Sequence, residues 1–115
     1  MADSDPDCLF CKIVAGEIPS TKVYEDDHAF AFADQNPQAP VHVLVVPKRH
    51  FADIADLGRD AEASAGLLAG IRALAGQEGL DSFRTVFNTG AEAQQTVFHV
   101  HAHVIAGRAM TWPPG

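Results

Sequence analysis

The 115-residue chain has little of what marks an exported, membrane-spanning or disulfide-stabilised protein. It contains only two cysteines, which excludes a disulfide-rich scaffold. No apolar run approaches the roughly 20 residues that a spanning helix needs. The acidic residues 1–5 lack the basic and apolar regions of a signal peptide. We therefore expect a cytoplasmic protein with no membrane contact.

Basic residues are also scarce. Eight Lys and Arg stand against 15 Asp and Glu, which gives a formal net charge of −7. A nucleic-acid or anionic membrane surface is disfavoured, because the chain has no excess of cations to neutralise phosphates. A small anionic ligand stays compatible with this charge if a local cluster of side chains binds it.

What the chain does have is enough apolar sequence for one hydrophobic core. Its mass is 12.3 kDa, with 47% hydrophobic and 20% charged residues. This size and composition predict a single globular domain over residues 1–115, with residues 1–7 as a disordered tail.

Hydrophobic periodicity predicts an α+β fold, because mostly consecutive strands with one long helical insertion form an antiparallel sheet. The predicted strands are 22–25, 28–33, 41–46, 83–88 and 96–106, and the predicted helices are a short one at 9–14, a weak one at 51–57 and a long one at 60–77. An apolar stripe on the long helix is predicted to pack on the sheet, and its members are Leu67, Leu68, Ile71, Leu74 and Ala75.

Cys8 and Cys11 form a Cys-x-x-Cys pair. In a chain without an export signal, such a pair favours a metal or redox element over a structural disulfide. Structural zinc needs four ligands, and the six histidines include candidates for the other two. The alternative is that both cysteines are small core residues at the start of a helix.

Three histidines, His99, His101 and His103, alternate along the predicted last strand. Alternation predicts that all three imidazoles lie on one face, with neighbours starting about 6.6 Å apart. The intervening residues, which we predict to face the core, are Val100, Ala102 and Val104.

Two chemistries fit three such histidines. They could hold a catalytic zinc with an open position, or they could supply a nucleophile and phosphate-oxygen donors for phosphoryl transfer. Asn88, Gln95 and Thr96 precede the histidines as neutral polar groups that could contact an anion, whereas no nearby carboxylate is placed in sequence as a base for zinc-bound water. This favours phosphoryl transfer.

The sequence around these histidines resembles the histidine-triad superfamily. The superfamily signature has three histidines separated by single apolar residues and followed by two more, as in His99-Val-His101-Ala-His103-Val104-Ile105. Four further segments occur in the order and spacing typical of its Hint branch: Asp34-Gln-Asn-Pro-Gln-Ala-Pro-Val-His42, Val46-Pro-Lys-Arg-His50, Asn88-Thr-Gly90 and Gln95-Thr96-Val97. The ending Trp112-Pro-Pro-Gly115 is similar to the part specific to that branch.

The resemblance implies a homodimeric purine nucleoside phosphoramidase, which cleaves the P–N bond of an adenosine 5′-phosphoramidate and binds a nucleoside monophosphate, AMP or GMP. It implies that His101 is the nucleophile and forms a covalent nucleotidyl-histidine. His103 and Asn88 would hold phosphate oxygens, Thr96 would help to protonate the departing amine, and His42 would support the nucleophile or relay protons.

Three further positions are implied to bind substrate. Asp34 would bind the ribose hydroxyls, Phe32 would form a wall of the purine site, and Gln95 would contact the nucleotide. The alternative for Asp34 is an ordinary turn-initiating residue, and the alternative for Phe32 is a residue of the core. Gln94 departs from the branch, which commonly has Gly there, so the close backbone approach to phosphate that Gly permits is not assured.

The resemblance also implies a structural zinc site, because members with the Cys-x-x-Cys pair join it to two histidines away from the reacting phosphorus. All four ligands, Cys8, Cys11, His50 and His99, are present in this chain. The alternative is a reduced, metal-free cysteine pair.

Two rival functions use the same residues. One is hydrolysis of dinucleoside polyphosphates, or nucleotidyl transfer, with the same nucleophile. The other is a non-catalytic, zinc-stabilised nucleotide-binding module.

Overall fold

A five-stranded antiparallel sheet with the strand order β1-β2-β3-β5-β4 organises the chain, as predicted for the α+β class. The computed structural model describes residues 4–115. Its elements are α1 (Leu9–Val14), β1 (Lys22–Glu25), β2 (Ala29–Ala33), β3 (Val41–Pro47), α2 (Ile54–Leu57), α3 (Ala61–Gln77), β4 (Phe83–Val86), a 3₁₀ turn (Ala91–Ala93) and β5 (Ala102–Ala106).

Helix α3 begins and ends where its terminal residues dictate. The Asp60 carboxylate accepts a hydrogen bond from the Ala63 N–H at 2.9 Å and so caps the first turn. At the other end, Gly79 adopts a φ of 65°, and the Leu80 N–H donates to the Ala75 carbonyl at 2.9 Å. This is the arrangement of a Schellman motif, for which glycine is favoured.

One face of the sheet is covered by α3. The core between them includes Ala29, Ala31, Val43, Val45, Leu67, Ile71, Leu74, Ala102 and Val104. Val100 belongs to this core as well, so the residues between the histidines face inward as predicted. The prediction is wrong for Leu68, which is 61% exposed. Leu68 follows Leu67 by one residue, or about 100° around the helix, and this turns it away from the sheet.

Two glycines allow α3 to approach β2 closely. A Cβ atom on Gly66 would lie 2.7 Å from the His28 Cβ, and one on Gly70 would lie 2.6 Å from the Ala29 Cβ. Both separations are too short for real side chains, so this interface requires glycine at both positions.

The opposite face of the sheet is covered by α1, which has only six residues. Its core cluster includes Phe10, Ile13, Phe30, Phe32, Leu44 and Val46. His42 and His103 also project on this side, since side chains alternate along β3 and β5 and His103 lies opposite Leu44. A short helix cannot cover five strands, and the part of this face that it leaves open forms the cavity described below.

The last strand is shorter than predicted. Strand β5 covers Ala102–Ala106 instead of 96–106 because its pairing with β3 and β4 begins only at Ala102 and His103, respectively. Before that point the backbone pairs irregularly, with the Val100 N–H donating to the Phe51 carbonyl at 2.7 Å. All three imidazoles nevertheless lie on the α1 side of the sheet, as predicted, because the residues between them face the α3 core and both His99 and His101 pack against Phe10 of α1. His99 precedes the strand and lies in a different cluster from His101 and His103.

Part of the predicted disordered tail, residues 1–3, lies outside the described residues. The chain from Asp5 makes a turn, with the Cys8 N–H donating to the Asp5 carbonyl at 3.1 Å. Within residues 4–115, no helix combines the length and apolar character needed to cross a membrane. The single-domain assignment stays a prediction.

Candidate functional site

Four side chains from distant parts of the chain gather at one end of the sheet. They are Cys8, Cys11, His50 and His99, and their ligand atoms all lie within 4.8 Å of one another. The His99 Nδ1 is 3.4 Å from the Cys8 Sγ and 3.5 Å from the Cys11 Sγ, and the His50 Nδ1 is 3.4 Å from the Cys11 Sγ. In a tetrahedral zinc site, bond lengths of about 2.3 Å to sulfur and about 2.05 Å to nitrogen separate S and N by about 3.6 Å.

The protonation of His99 suits a metal ligand. Its Nε2–H donates to the Pro47 carbonyl at 2.9 Å, so the Nδ1 carries the lone pair and faces the sulfurs. Burial lowers the pKa of His99 to about 4, which keeps the ring neutral. Burial raises the pKa of the Cys8 thiol, and a bound cation would reverse that effect. The residues present therefore fit zinc, and the structure brings the predicted Cys₂His₂ set together.

His101 has the opposite arrangement. Its Nδ1–H donates to the His99 carbonyl at 2.8 Å, which leaves the lone pair on Nε2. Burial lowers its pKa below the ordinary value, so the neutral, nucleophilic form dominates at neutral pH. A neutral imidazole with one nitrogen fixed as a donor and the other free is suited to attack an electrophile.

His42 and His103 form a hydrogen-bonded pair. The Gln38 backbone N–H donates to the His42 Nδ1 at 3.0 Å, so the His42 proton lies on Nε2. That Nε2 is 2.9 Å from the His103 Nδ1 and 3.3 Å from the Asp34 Oδ2. As the acceptor, the His103 Nδ1 carries no proton, and His103 presents an Nε2–H donor. Burial, aided by the neighbouring histidines, lowers the pKa of His103 to about 4.

Asp34, His42 and His103 are also close enough to be considered as metal ligands, since their ligand atoms lie within 4.8 Å of one another. The hydrogen bond from Gln38 argues against this. A metal at the His42 Nε2 would displace the ring's only proton while Nδ1 still accepts from the backbone. A chain of hydrogen bonds from Gln38 through His42 to His103 explains the cluster without an ion.

A cavity of about 620 Å³ opens over this face of the sheet. Of the predicted site residues, Phe32, Asp34, Thr96, His101 and His103 line it. His42 is buried behind His103. Asp34 forms the turn expected as its alternative role, since its Oδ1 accepts from the Asn36 N–H at 2.8 Å, and it also borders the cavity. Its contact with ribose stays a prediction.

Two predicted substrate contacts lie elsewhere. Gln95 is buried, and both polar atoms of its side-chain amide form hydrogen bonds with the backbone. Its Oε1 accepts from the Gly90 N–H at 2.9 Å, and its Nε2 donates to the Ala52 carbonyl at 2.7 Å. Asn88 is half-buried in the loop after β4 and is not one of the residues that line the cavity. Their contacts with substrate stay predictions.

Gln94, at the position where the resemblance commonly has glycine, adopts a left-handed backbone conformation. Its φ is 69° and its ψ is 29°. The loop around it is closed by the Gln95 N–H, which donates to the Gly90 carbonyl at 3.0 Å. The backbone conformation expected for glycine is therefore present with glutamine in its place.

Sequence reasoning missed Phe10, which lines the cavity and packs its ring edge against His101, with centroids 5.1 Å apart. It also missed the Gln38 N–H that sets the proton on His42. The sequence feature that could have identified Phe10 as a site residue is its position between two predicted metal ligands, Cys8 and Cys11.

Comparison with known proteins finds relatives that match nearly the whole chain. A family model described as the HIT domain matches residues 15–110. A HIT-like protein of Synechococcus elongatus is 49% identical, over 95% of this chain and 97% of its own length. A 14 kDa zinc-binding protein of Brassica juncea is 47% identical, over 95% of this chain and 100% of its own. An adenylylsulfatase of Arabidopsis thaliana is 44% identical, over 97% of this chain and 79% of its own.

Solved structures agree with the fold. A HIT family hydrolase from Legionella pneumophila has a TM-score of 0.89 and 49% identity, covering 95% of this chain and all of its own. A histidine triad protein from Clostridium difficile has a TM-score of 0.88 and 43% identity, covering 94% of this chain and 96% of its own.

Proposed function

The chain belongs to the HIT domain family, and on that premise we propose that it is a nucleotide hydrolase that cleaves the P–N bond of purine nucleoside 5′-phosphoramidates. The observation that carries the proposal is the hydrogen bond from the His101 Nδ1–H to the His99 carbonyl, which leaves a lone pair on Nε2 at the cavity wall. Related structures named as hydrolases and as a nucleotide-binding protein support the same class of activity.

The reaction proceeds by two displacements. The His101 Nε2 attacks the α-phosphorus, the P–N bond to the amine breaks, and a nucleotidyl-histidine forms. Water then attacks the same phosphorus, the bond to His101 breaks, and AMP leaves. The His103 Nε2–H donates to a phosphate oxygen in both steps, since its Nδ1 accepts from His42.

The amine needs a proton as it departs, because an amide anion is a very poor leaving group. The Thr96 hydroxyl lines the cavity and supplies that proton, and it regains a proton from the water molecule that attacks in the second step. Asp34, at the same wall, binds the ribose hydroxyls, and Phe32 contacts the purine. Zinc would be held by Cys8, Cys11, His50 and His99; as a closed four-ligand site it supplies structure, with no position for substrate.

The test compares wild type with His101→Gly. Rapid quench with a labelled adenosine 5′-phosphoramidate traps an acid-labile nucleotidyl-protein in wild type and none in the variant. Turnover falls by several orders of magnitude while AMP still binds through Asp34 and His103. Near-normal turnover in the variant refutes the nucleophile. Faster cleavage of a diadenosine polyphosphate, or AMP binding without any turnover, would favour one of the two rival functions.

A second substrate, adenylyl sulfate, is favoured by the relative named adenylylsulfatase. The same attack on the α-phosphorus would release sulfate, which leaves as a stable anion and needs no proton. Thr96→Val therefore lowers phosphoramidate turnover about 10²–10⁴-fold and leaves adenylyl sulfate turnover nearly unchanged. Equal losses on both substrates would mean that Thr96 positions the nucleotide instead of donating a proton.

A further inference from the structure

Phe10 joins the metal site to the nucleophile. It lies between Cys8 and Cys11 in the chain, and its ring is 6.1 Å from the ring of the third ligand, His99. The edge-to-face contact with His101 has an interplanar angle of 87° at 5.1 Å. His99 provides a second link, because its carbonyl accepts the hydrogen bond that orients His101.

Phe10 also shapes the cavity. With Leu9 and Ile13 it forms the wall contributed by α1, and its ring packs on Phe32 at 5.3 Å with an angle of 75°. Leu44 of β3 lies in the same wall. A shift of α1 would therefore move both the surface that receives the purine and the ring that packs against His101.

Helix α1 is too short to hold this position by itself. A helix of six residues is unstable in isolation, so its placement depends on tertiary contacts. The first turn of α1 makes one such set of contacts. The Cys8 Sγ caps the turn by accepting from the Cys11 N–H at 3.3 Å, and the two sulfurs lie beside His99 and His50. If Cys8, Cys11, His50 and His99 ligate zinc, coordinate bonds would replace these weak contacts and would tie α1 to the end of the sheet.

We propose that zinc and nucleotide bind cooperatively to this protein, with Phe10 as the positioning residue that carries the coupling. The inference rests on the proposed function only in that the ligand is a purine nucleotide. By linkage, the factor by which zinc raises nucleotide affinity equals the factor by which nucleotide raises zinc affinity. A coupling of the usual size changes each affinity about 5- to 150-fold.

The first measurement is AMP affinity by calorimetry, with zinc-loaded protein and with protein treated with a chelator. We expect AMP to bind about 5- to 150-fold more weakly after zinc removal. Equal affinities in both forms would overturn the inference and leave the proposed function intact. Absence of AMP binding to the zinc-loaded protein would overturn both.

A matched pair of variants assigns the coupling to Phe10. Phe10→Leu and Phe30→Leu each replace a buried phenylalanine of the same core cluster with a smaller side chain that has no ring. Of the two phenylalanines, only Phe10 lines the cavity and contacts His101. We expect the ratio of AMP affinities with and without zinc to fall toward one in Phe10→Leu and to keep its wild-type value in Phe30→Leu. A merely structural role would change the two variants alike.

A third measurement needs only the zinc-loaded protein, so it holds even if the metal-free chain unfolds. Zinc transfer to a chromogenic chelator is timed with and without saturating AMP. We expect AMP to slow zinc release in wild type and Phe30→Leu, and to have little effect in Phe10→Leu. Release rates that do not respond to AMP in wild type would overturn the inference.

Discussion

Each histidine of the site receives its chemical role from the hydrogen bond at its other ring nitrogen. The carbonyls of Pro47 and His99 accept hydrogen bonds from His99 and His101, and this leaves one lone pair facing the cysteine sulfurs and one at the cavity wall. His42 instead accepts from the Gln38 N–H and donates its Nε2–H to the His103 Nδ1. An imidazole is thus arranged as ligand, nucleophile or donor according to the hydrogen-bond partner of its other ring nitrogen.

Because the active forms are neutral, activity depends on pH through these depressed pKa values. Protonation of His101 removes the attacking lone pair, and burial lowers its pKa below the ordinary 6.5; burial also brings the pKa of His103 to about 4. Each group is neutral above its folded pKa, so activity is lost as pH falls through that value. We therefore expect the acidic limb of the kcat/KM profile to be centred below the ordinary histidine value of 6.5.

The control for this profile is His101→Gly, measured at each pH to subtract acid hydrolysis of the substrate itself. An acidic limb centred at or above the ordinary histidine value of 6.5 would contradict the neutral, buried arrangement.

Gln94 shows how a neighbour can hold a residue in a conformation that it does not favour. A left-handed backbone costs a non-glycine residue roughly 1 kcal/mol. The Gln95 side chain offsets this cost, because its Oε1 accepts from the Gly90 N–H and closes the loop that contains Gln94. The hydrogen bonds of Gln95 therefore maintain the backbone geometry of this loop.

At the scale of elements, the contact between α3 and β2 tests how tightly the main core is packed. Gly70→Ala improves helix propensity by about 1 kcal/mol but forces a methyl group within 2.6 Å of the Ala29 Cβ. Overpacking of this kind costs about 1–3 kcal/mol, so we expect a net loss in the free energy of unfolding. Urea denaturation measures it.

The matched control is Gly76→Ala in the same helix, where a Cβ would meet nothing within 4 Å. There only the gain in helix propensity acts, and we expect the free energy of unfolding to rise by up to about 1 kcal/mol. If both variants shift stability in the same direction, the close approach of α3 to β2 is not as the structure describes it.

Elements with local signals could be predicted from the sequence. The Asp60 cap and Gly79 fix α3 within one residue of its predicted bounds, and α1 has the predicted bounds. The start of β5 could not be predicted, because the alternation of histidine and apolar residues around His99 looks the same whether or not the segment pairs with another strand. Pairing with β3 is a long-range property that begins only at Ala102. The contact of Phe10 with His101 is long-range in the same way.

At the scale of the whole molecule, the metal site joins segments that are far apart in the chain. Metal analysis should find about one zinc per chain in wild type and essentially none in Cys8→Ser/Cys11→Ser. We expect the double variant to unfold at a lower temperature, because the binding free energy of a structural zinc contributes to folding.

His101→Ala is the control for metal content. It removes a cavity histidine that is outside the Cys₂His₂ set, so it should retain its zinc. Zinc kept by the double cysteine variant but lost in His101→Ala would mean that the histidines of the cavity form the metal site.

An edge strand of the sheet and two exposed apolar side chains predict self-association. β4 is an edge of the sheet with only four residues, and Phe83 on it is 39% exposed, while Leu68 on α3 is 61% exposed. Pairing of β4 and α3 with a second copy would cover both side chains and satisfy the strand edge. We expect light scattering at micromolar concentration to give twice the 12.3 kDa chain mass, and Leu68→Lys to shift the protein toward monomer. A monomeric wild type would contradict this prediction without affecting the chemistry of His101.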